Sequence, residues 1–257
     1  MASRIKAIGA LRPRIELDKT AQKAELVRVL TRATALTLMP QNPARYTVSA
    51  IQVAVGDRDP LIRRAAAEQI EMLDPAMRAP LALPLLLDSV RTVRLAALPA
   101  LAGLPDSGWT DKQRDAFARV LAEYRASQLF NADRPESWAN LGNLDARMGQ
   151  SAAAEGAFAR AVRLQPQFVP AYMQLAELYR TSGREASADS MLRLGLEHVP
   201  ANPDLQYQLG LALIRQGRKA DALPLLKAAA ESGNSHYAYV YGVALFDGGQ
   251  SALAVTT

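Results

Sequence analysis

The chain contains no cysteine. That excludes disulfides, thiolate metal sites, thiol nucleophiles and thioether attachment of haem within it. Histidine is almost as scarce: His198 and His236 are the only two, too few for a histidine metal cluster. Aromatic residues make up 6% of the 257 residues, so packing must rest on the abundant alanine and leucine, which favour helix. Long apolar runs are missing too. The apolar run late in the chain, residues 235–246, falls far short of the ~20 apolar residues a spanning helix needs, and no membrane partner is expected.

The net charge of +5 is unevenly placed. Residues 1–24 hold Arg4, Lys6, Arg12, Arg14, Lys19 and Lys23 against Glu16 and Asp18, so the remainder is nearly neutral. A basic face for nucleic acid along the body is therefore not expected. The arm does not read as a signal peptide, because charges interrupt each apolar run. No glycine-rich loop ends in Gly-Lys-Ser/Thr, and no serine sits in a Gly-x-Ser-x-Gly elbow. Carboxylate pairs such as Asp111 and Asp115 read as solvated, and the two histidines as surface or structural residues. The reading is of a chain that is not an enzyme and needs no cofactor or metal.

What the chain has is repetition. Trp138, Leu141, Gly142 and Gly149 return 34 residues later as Tyr172, Leu175, Ala176 and Gly183. Ala154, Phe158, Ala161 and Pro166 return as Ala188, Leu192, Gly195 and Pro200. A third copy carries Leu209, Gly210, Gly217, Ala222, Leu226 and Ala229, and a fourth starts two residues early with Gly242, Gly249 and Ala254. Each copy predicts an apolar helix, a glycine turn and a second apolar helix, with small residues admitting close approach. A lone hairpin cannot bury its apolar faces, so neighbours must stack. Pro166 and Pro200 should end second helices, and Pro224 should fall in the first turn of its helix.

This pattern resembles the tetratricopeptide repeat, over residues 135–257. It departs from that family at Asp145 and Gln206, where the family has aromatic residues, and in a third copy without its closing proline; looser packing is expected there. The helix before it, with Val120, Tyr124 and Ser127, is expected to act as a cap.

A second period lies upstream. Asp57 and Asp88 each stand six residues before Arg63 and Arg94, and Arg32 lies 31 residues before Arg63. Three arginines at that period, each leading an alanine-rich run, predict stacked hairpins and resemble HEAT repeats. The resemblance implies that Asp57, Arg63, Asp88 and Arg94 form a structural ladder. Arg32 has Leu26 rather than an aspartate six residues earlier, which leaves it outside that rule. The joint, residues 104–113, is short, with Thr110 placed to cap the next helix.

The expected fold is all-α: a right-handed α-solenoid with a basic arm (1–24), HEAT-like repeats (25–105) and a tetratricopeptide domain (106–257). The order of parts also resembles the C-terminal scaffold portion of bacterial multihaem cytochrome c proteins with both repeats. That would imply export to the periplasm and a piece of a larger protein. Three functions follow: a scaffold for a protein or peptide partner, an accessory module of an electron-transfer protein, or nucleic-acid binding through the arm. For the first, the groove-facing positions of the first helices are Ala139, Asn143 and Ala146; Met173, Glu177 and Arg180; Tyr207, Leu211 and Ile214; and Tyr239, Val243 and Phe246. Tyr207, Leu211 and Tyr239 are expected to anchor an apolar segment, with Arg180 and Asn143 setting polarity. The unfinished fourth copy is expected to fray or to dimerise.

Overall fold

The computed structural model describes residues 23–38 and 45–247; the rest of the basic arm, and Gly249 and Ala254 of the fourth copy, lie outside them. Every regular element among the described residues is helical. The chain divides into two compact units, residues 1–126 and 127–257.

Unit 1 holds α1 (23–37), α2 (Arg45–Ala54), α3 (Pro60–Gln69), α4 (Pro75–Leu85) and α5 (Arg91–Ala97), with 3-10 turns at Ile70–Met72 and Leu98–Leu101. Val29 and Leu36 of α1 pack on Ala54 of α2 and on Ile62, Ala65 and Ala66 of α3. Asp59 caps α3 by accepting from the Leu61 amide, and Pro60 opens the helix where an N–H has no intrahelical partner. A capping box opens α6 (Asp111–Phe130): the Gln113 amide donates to Thr110 Oγ1, and the Thr110 amide to Gln113 Oε1.

The arginines of unit 1 form a regular ladder. Arg63 donates twice to Asp88 (2.6 and 3.0 Å) and once, 2.9 Å, to the carbonyl of Asp57. Arg94 repeats the backward bond to the carbonyl of Asp88 at 2.9 Å and reaches forward to Glu123 at 2.8 Å. Arg32, expected to stand outside, joins the ladder: it donates to Asp57 at 2.7 Å. The backward bond goes to a main-chain carbonyl, so it asks for no particular side chain six residues upstream. The forward carboxylate comes from the next repeat, 25 residues on, for both Arg32 and Arg63. Arg63 holds the Asp88 carboxyl below its ordinary pKa, and the backbone amide of Asp59, with Arg32, does the same for Asp57.

Unit 2 is a run of hairpins: α7 (Pro135–Arg147) with α8 (Ser151–Leu164), α9 (Val169–Thr181) with α10 (Glu185–His198), and α11 (Pro203–Arg215) with α12 (Lys219–Ala230). Each second helix also packs on the next first helix, the last being α13 (Ser235–Asp247) on α12. Gly149, Gly183 and Gly217 turn the three hairpins at φ 73°, 73° and 75°. At each turn the following residue's amide bonds back to the last turn of the helix: Gln150 to Asp145, Arg184 to Tyr179 and Arg218 to Leu213, at 2.8–2.9 Å.

Close approach explains the mid-helix glycine. A Cβ on Gly142 would stand 2.5 Å from the Phe158 ring, and one on Gly210 2.7 Å from Leu226. Tyr172 and Phe158 are among the largest fully buried side chains. A further periodic bond ties the first helix of each complete hairpin to the preceding loop: Trp138 donates to the Ala132 carbonyl, Tyr172 to that of Pro166 and Gln206 to that of Pro200. Each spans six residues. Gln206, expected to loosen its repeat, thus takes over the aromatic residue's bond.

Pro224 corrects another expectation. It lies inside α12, beyond the first turn. It is tolerated because it faces solvent, as does Ala220, whose carbonyl loses the i+4 partner. The third copy, without its proline, ends at Gly233 in the left-handed region (φ 83°).

Candidate functional site

The first helices of unit 2 present a continuous face, and its chemistry changes from α7 to α13. On α7, Asn143 and Ala146 are half-buried. Ala139 does not open onto the face: it is buried, its methyl too short to reach past its neighbours. On α9, Met173 is half-buried and Glu177 exposed. Arg180 closes on Glu177 through two hydrogen bonds and holds its carboxyl below the ordinary value. Arg180 therefore presents an ion pair rather than a lone cation.

Met173, Glu177 and Arg180 line a hollow of about 230 Å³ together with Gln174, Gln208 and Arg215. Ala188, Leu192 and Ala212 form its apolar floor. Three of its polar groups were missed from sequence, although the signal was there. Gln174 and Gln208 repeat at the 34-residue period, with Asn140 one period earlier. Arg215 follows the chosen position Ile214 by one residue, on the neighbouring flank of α11.

Leu211 and Ile214 are half-buried. Tyr207, expected to be a free anchor, is engaged within the chain. Its ring stacks on Tyr237 with centroids 4.3 Å apart, and its hydroxyl lies 3.0 Å from His236 Nε2. Tyr237 in turn donates to Asp204, and that carboxylate, with burial, pushes the phenol up to about 12. His236, read from sequence as a surface or structural residue, lies within α13 and closes this cluster. Its own amide is capped by Asn234 at 2.9 Å. His198 ends α10.

Beyond the cluster the face turns apolar. Tyr239, Val243 and Phe246 of α13 are 69%, 42% and 64% exposed, while Ala244 and Leu245 on the other side are buried. Spacings of four and three residues put the exposed three on one helical face. Among the described residues no group of His, Asp and Glu is arranged to hold a metal ion, and no helix is long and apolar enough to cross a membrane.

Among solved structures, the chain is similar to YrrB, described as a TPR protein with an unusual peptide-binding site. The identity is 22%, covering 52% of this chain and 70% of that one, with a TM-score of 0.44. It is also similar to MamA, at 19% identity over 59% of this chain and 90% of that one, with a TM-score of 0.45. No curated protein matches it. A family profile, that of the bacterial transcriptional activator domain, matches residues 102–232. The match takes in α6, all three complete hairpins and the hollow between α9 and α11. Spanning just over half of the sequence, it shows that the chain belongs to the bacterial transcriptional activator domain family.

Proposed function

We propose that the chain is a non-enzymatic repeat scaffold that holds a protein or peptide partner on the first-helix face of unit 2. One observation carries this reading: large apolar side chains, Tyr239 and Phe246, stand exposed on the last first helix, and a hollow lined by both apolar and charged groups lies between the two before it. Exposed aromatics clustered in this way mark interaction surfaces. In this reading residues 106–257 act as the binding domain, with the repeats of 25–105 as its support. The family name directs the scaffold toward bacterial transcription control, with protein as the partner, since charge outside the arm is nearly balanced. Binding of nucleic acid would fall to the arm alone, and no observation favours the accessory haem-protein reading.

The test is site-specific photocrosslinking in the intact chain, with benzoylphenylalanine at position 239 or 211 and, as control, at exposed Arg160 or Arg193 on the second helices. Adducts to a distinct protein from 239 and 211, and none from the controls, are expected. Equal adducts from both faces would overturn the assignment.

A further inference from the structure

Helix α11 divides the first-helix face into two chemistries. One flank carries Gln208, Ala212 and Arg215 and closes the hollow shared with α9. The other carries Tyr207 and meets α13 through His236 and Tyr237. Within the hollow, Glu177 is neutralised by Arg180. Arg215 has no comparable partner: its nearest carboxylate, Glu185, is 4.0 Å away, with both side chains nearly half exposed. Such a pair contributes little in water. The charged residues lining the hollow are Glu177, Arg180 and Arg215; with Glu177 closed on Arg180, and Glu185 outside the lining and only loosely paired, Arg215 is the cation there most open to a carboxylate.

Helix α13 is the reverse, with no Asp, Glu, Lys or Arg between Ser235 and Phe246. Its shelf of Tyr239, Val243 and Phe246 is too small for a stable pair of copies. A buried aromatic contributes ~150–250 Å², so two copies meeting on the shelf would bury roughly 800 Å², against about 1,200–2,000 Å² in stable pairs. That area suits a few side chains of a short segment.

Resting on the scaffold reading, we propose that unit 2 binds an extended peptide segment carrying one acidic side chain and two large apolar side chains. The acidic group lies against Arg215 in the hollow, and the apolar pair lies on the Tyr239–Val243–Phe246 shelf. Packed helices stand ~8–10 Å apart. The hollow, midway between α9 and α11, is thus about 12–15 Å from α13, or about four residues of extended chain at ~3.3 Å each. The acidic residue therefore falls about four positions from the nearer apolar one.

The experiment selects a random 12-residue display library, each peptide's C-terminus blocked by fusion, on the full chain and on the variants Arg215→Glu, Arg215→Gln and the double variant Tyr239→Ser/Phe246→Ser. Circular dichroism confirms that each is folded, as these exposed positions allow. The wild type should enrich an acidic residue about four positions from an apolar pair. Arg215→Glu should bind those peptides at least ten-fold more weakly and select a basic residue instead; Arg215→Gln should lose the preference. The double variant should lose the apolar pair. Apolar enrichment with no acidic preference, unchanged by Arg215→Glu, overturns this proposal and leaves the scaffold reading standing. Enrichment that none of the variants alters overturns both. No enrichment overturns the peptide proposal alone, because the crosslinking test uses folded partners. A dimer in analytical ultracentrifugation, dissolved by the double variant, would put a second copy on the shelf instead.

Discussion

Unit 1 and unit 2 both stack helical hairpins, but they join them differently. In unit 1 the joins are ionic: Arg63 and Asp88 are 16% and 8% exposed, and each rung of the ladder links one repeat to the next. In unit 2 they are steric and conformational. Rings and leucines press on glycines, turns pass through the left-handed region, and a neutral bond fixes the first helix of each complete hairpin to its loop. Charge tolerates degenerate sequence, since a long arginine can find an acid that is not in register, as Arg94 finds Glu123. Close packing does not. The sequence period is correspondingly sharper in unit 2.

The comparison can be broken from the packing side first. Phe158→Ala should cost about 3–5 kcal/mol in unit 2. Gly142→Ala should destabilise by about 1–3 kcal/mol through overpacking, despite alanine's better helix propensity. In the double variant the costs should fall well short of additive, because Phe158 is what the new methyl meets. The two tryptophans separate the units: Trp109 lies in unit 1 and Trp138 in unit 2. Urea unfolding followed by fluorescence, in chains with the other tryptophan replaced by phenylalanine, reads each unit.

The ionic side comes next. Asp88→Asn leaves Arg63 without its carboxylate and should cost about 3 kcal/mol, seen by Trp109. Its pH dependence has a definite sign. Asp88 has a folded pKa below its unfolded one, so its contribution is complete above about pH 5 and is lost as pH falls through the folded value. Asp88→Asn should therefore flatten the loss of unit 1 stability on acidification, and leave the Trp138 transition unchanged.

The hairpin turns allow a cleaner test of conformation alone. Nothing stands within 4 Å of a Cβ on Gly183, so Gly183→Ala reports its φ of +73° without a clash. About 1–2 kcal/mol is expected, and a similar loss at Gly149 and Gly217. Equal tolerance of alanine at all three would show that the turns relax. The smallest effect is expected from Gln206→Ala, about 0.5–1.5 kcal/mol for one neutral hydrogen bond.

The hairpins of unit 2 were legible because their constraints fall on single residue types at fixed spacing. A left-handed turn asks for glycine, and a close helix contact asks for glycine or alanine. The ladder was half legible: Asp57 and Asp88 marked it, and their carboxylates are the forward acceptors of Arg32 and Arg63, but the backward bonds go to main-chain carbonyls that any residue supplies, and Glu123 lies off the spacing. At the candidate site, residue spacing identified the outward face and named Met173, Glu177 and Arg180 of the hollow. It could not show that Arg180 folds onto Glu177, since both roles use the same positions. Tyr207 misled because α13 begins two residues early in the period, bringing Tyr237 and His236 to its ring. A change of register alters which side chains meet without altering which face they occupy.

The forward bond of the ladder also bears on how such a chain can grow. Donor and acceptor sit in neighbouring copies, so duplicating a whole 31-residue segment hands each arginine an acid and each acid an arginine. An insertion of another length keeps the pairing only where an acid falls within the arginine's reach, as Glu123 does for Arg94. Where the series stops, the last arginine needs an acid from outside the pattern: 25 residues beyond Arg94 stands Arg119, and Glu123, one helical turn further, supplies it.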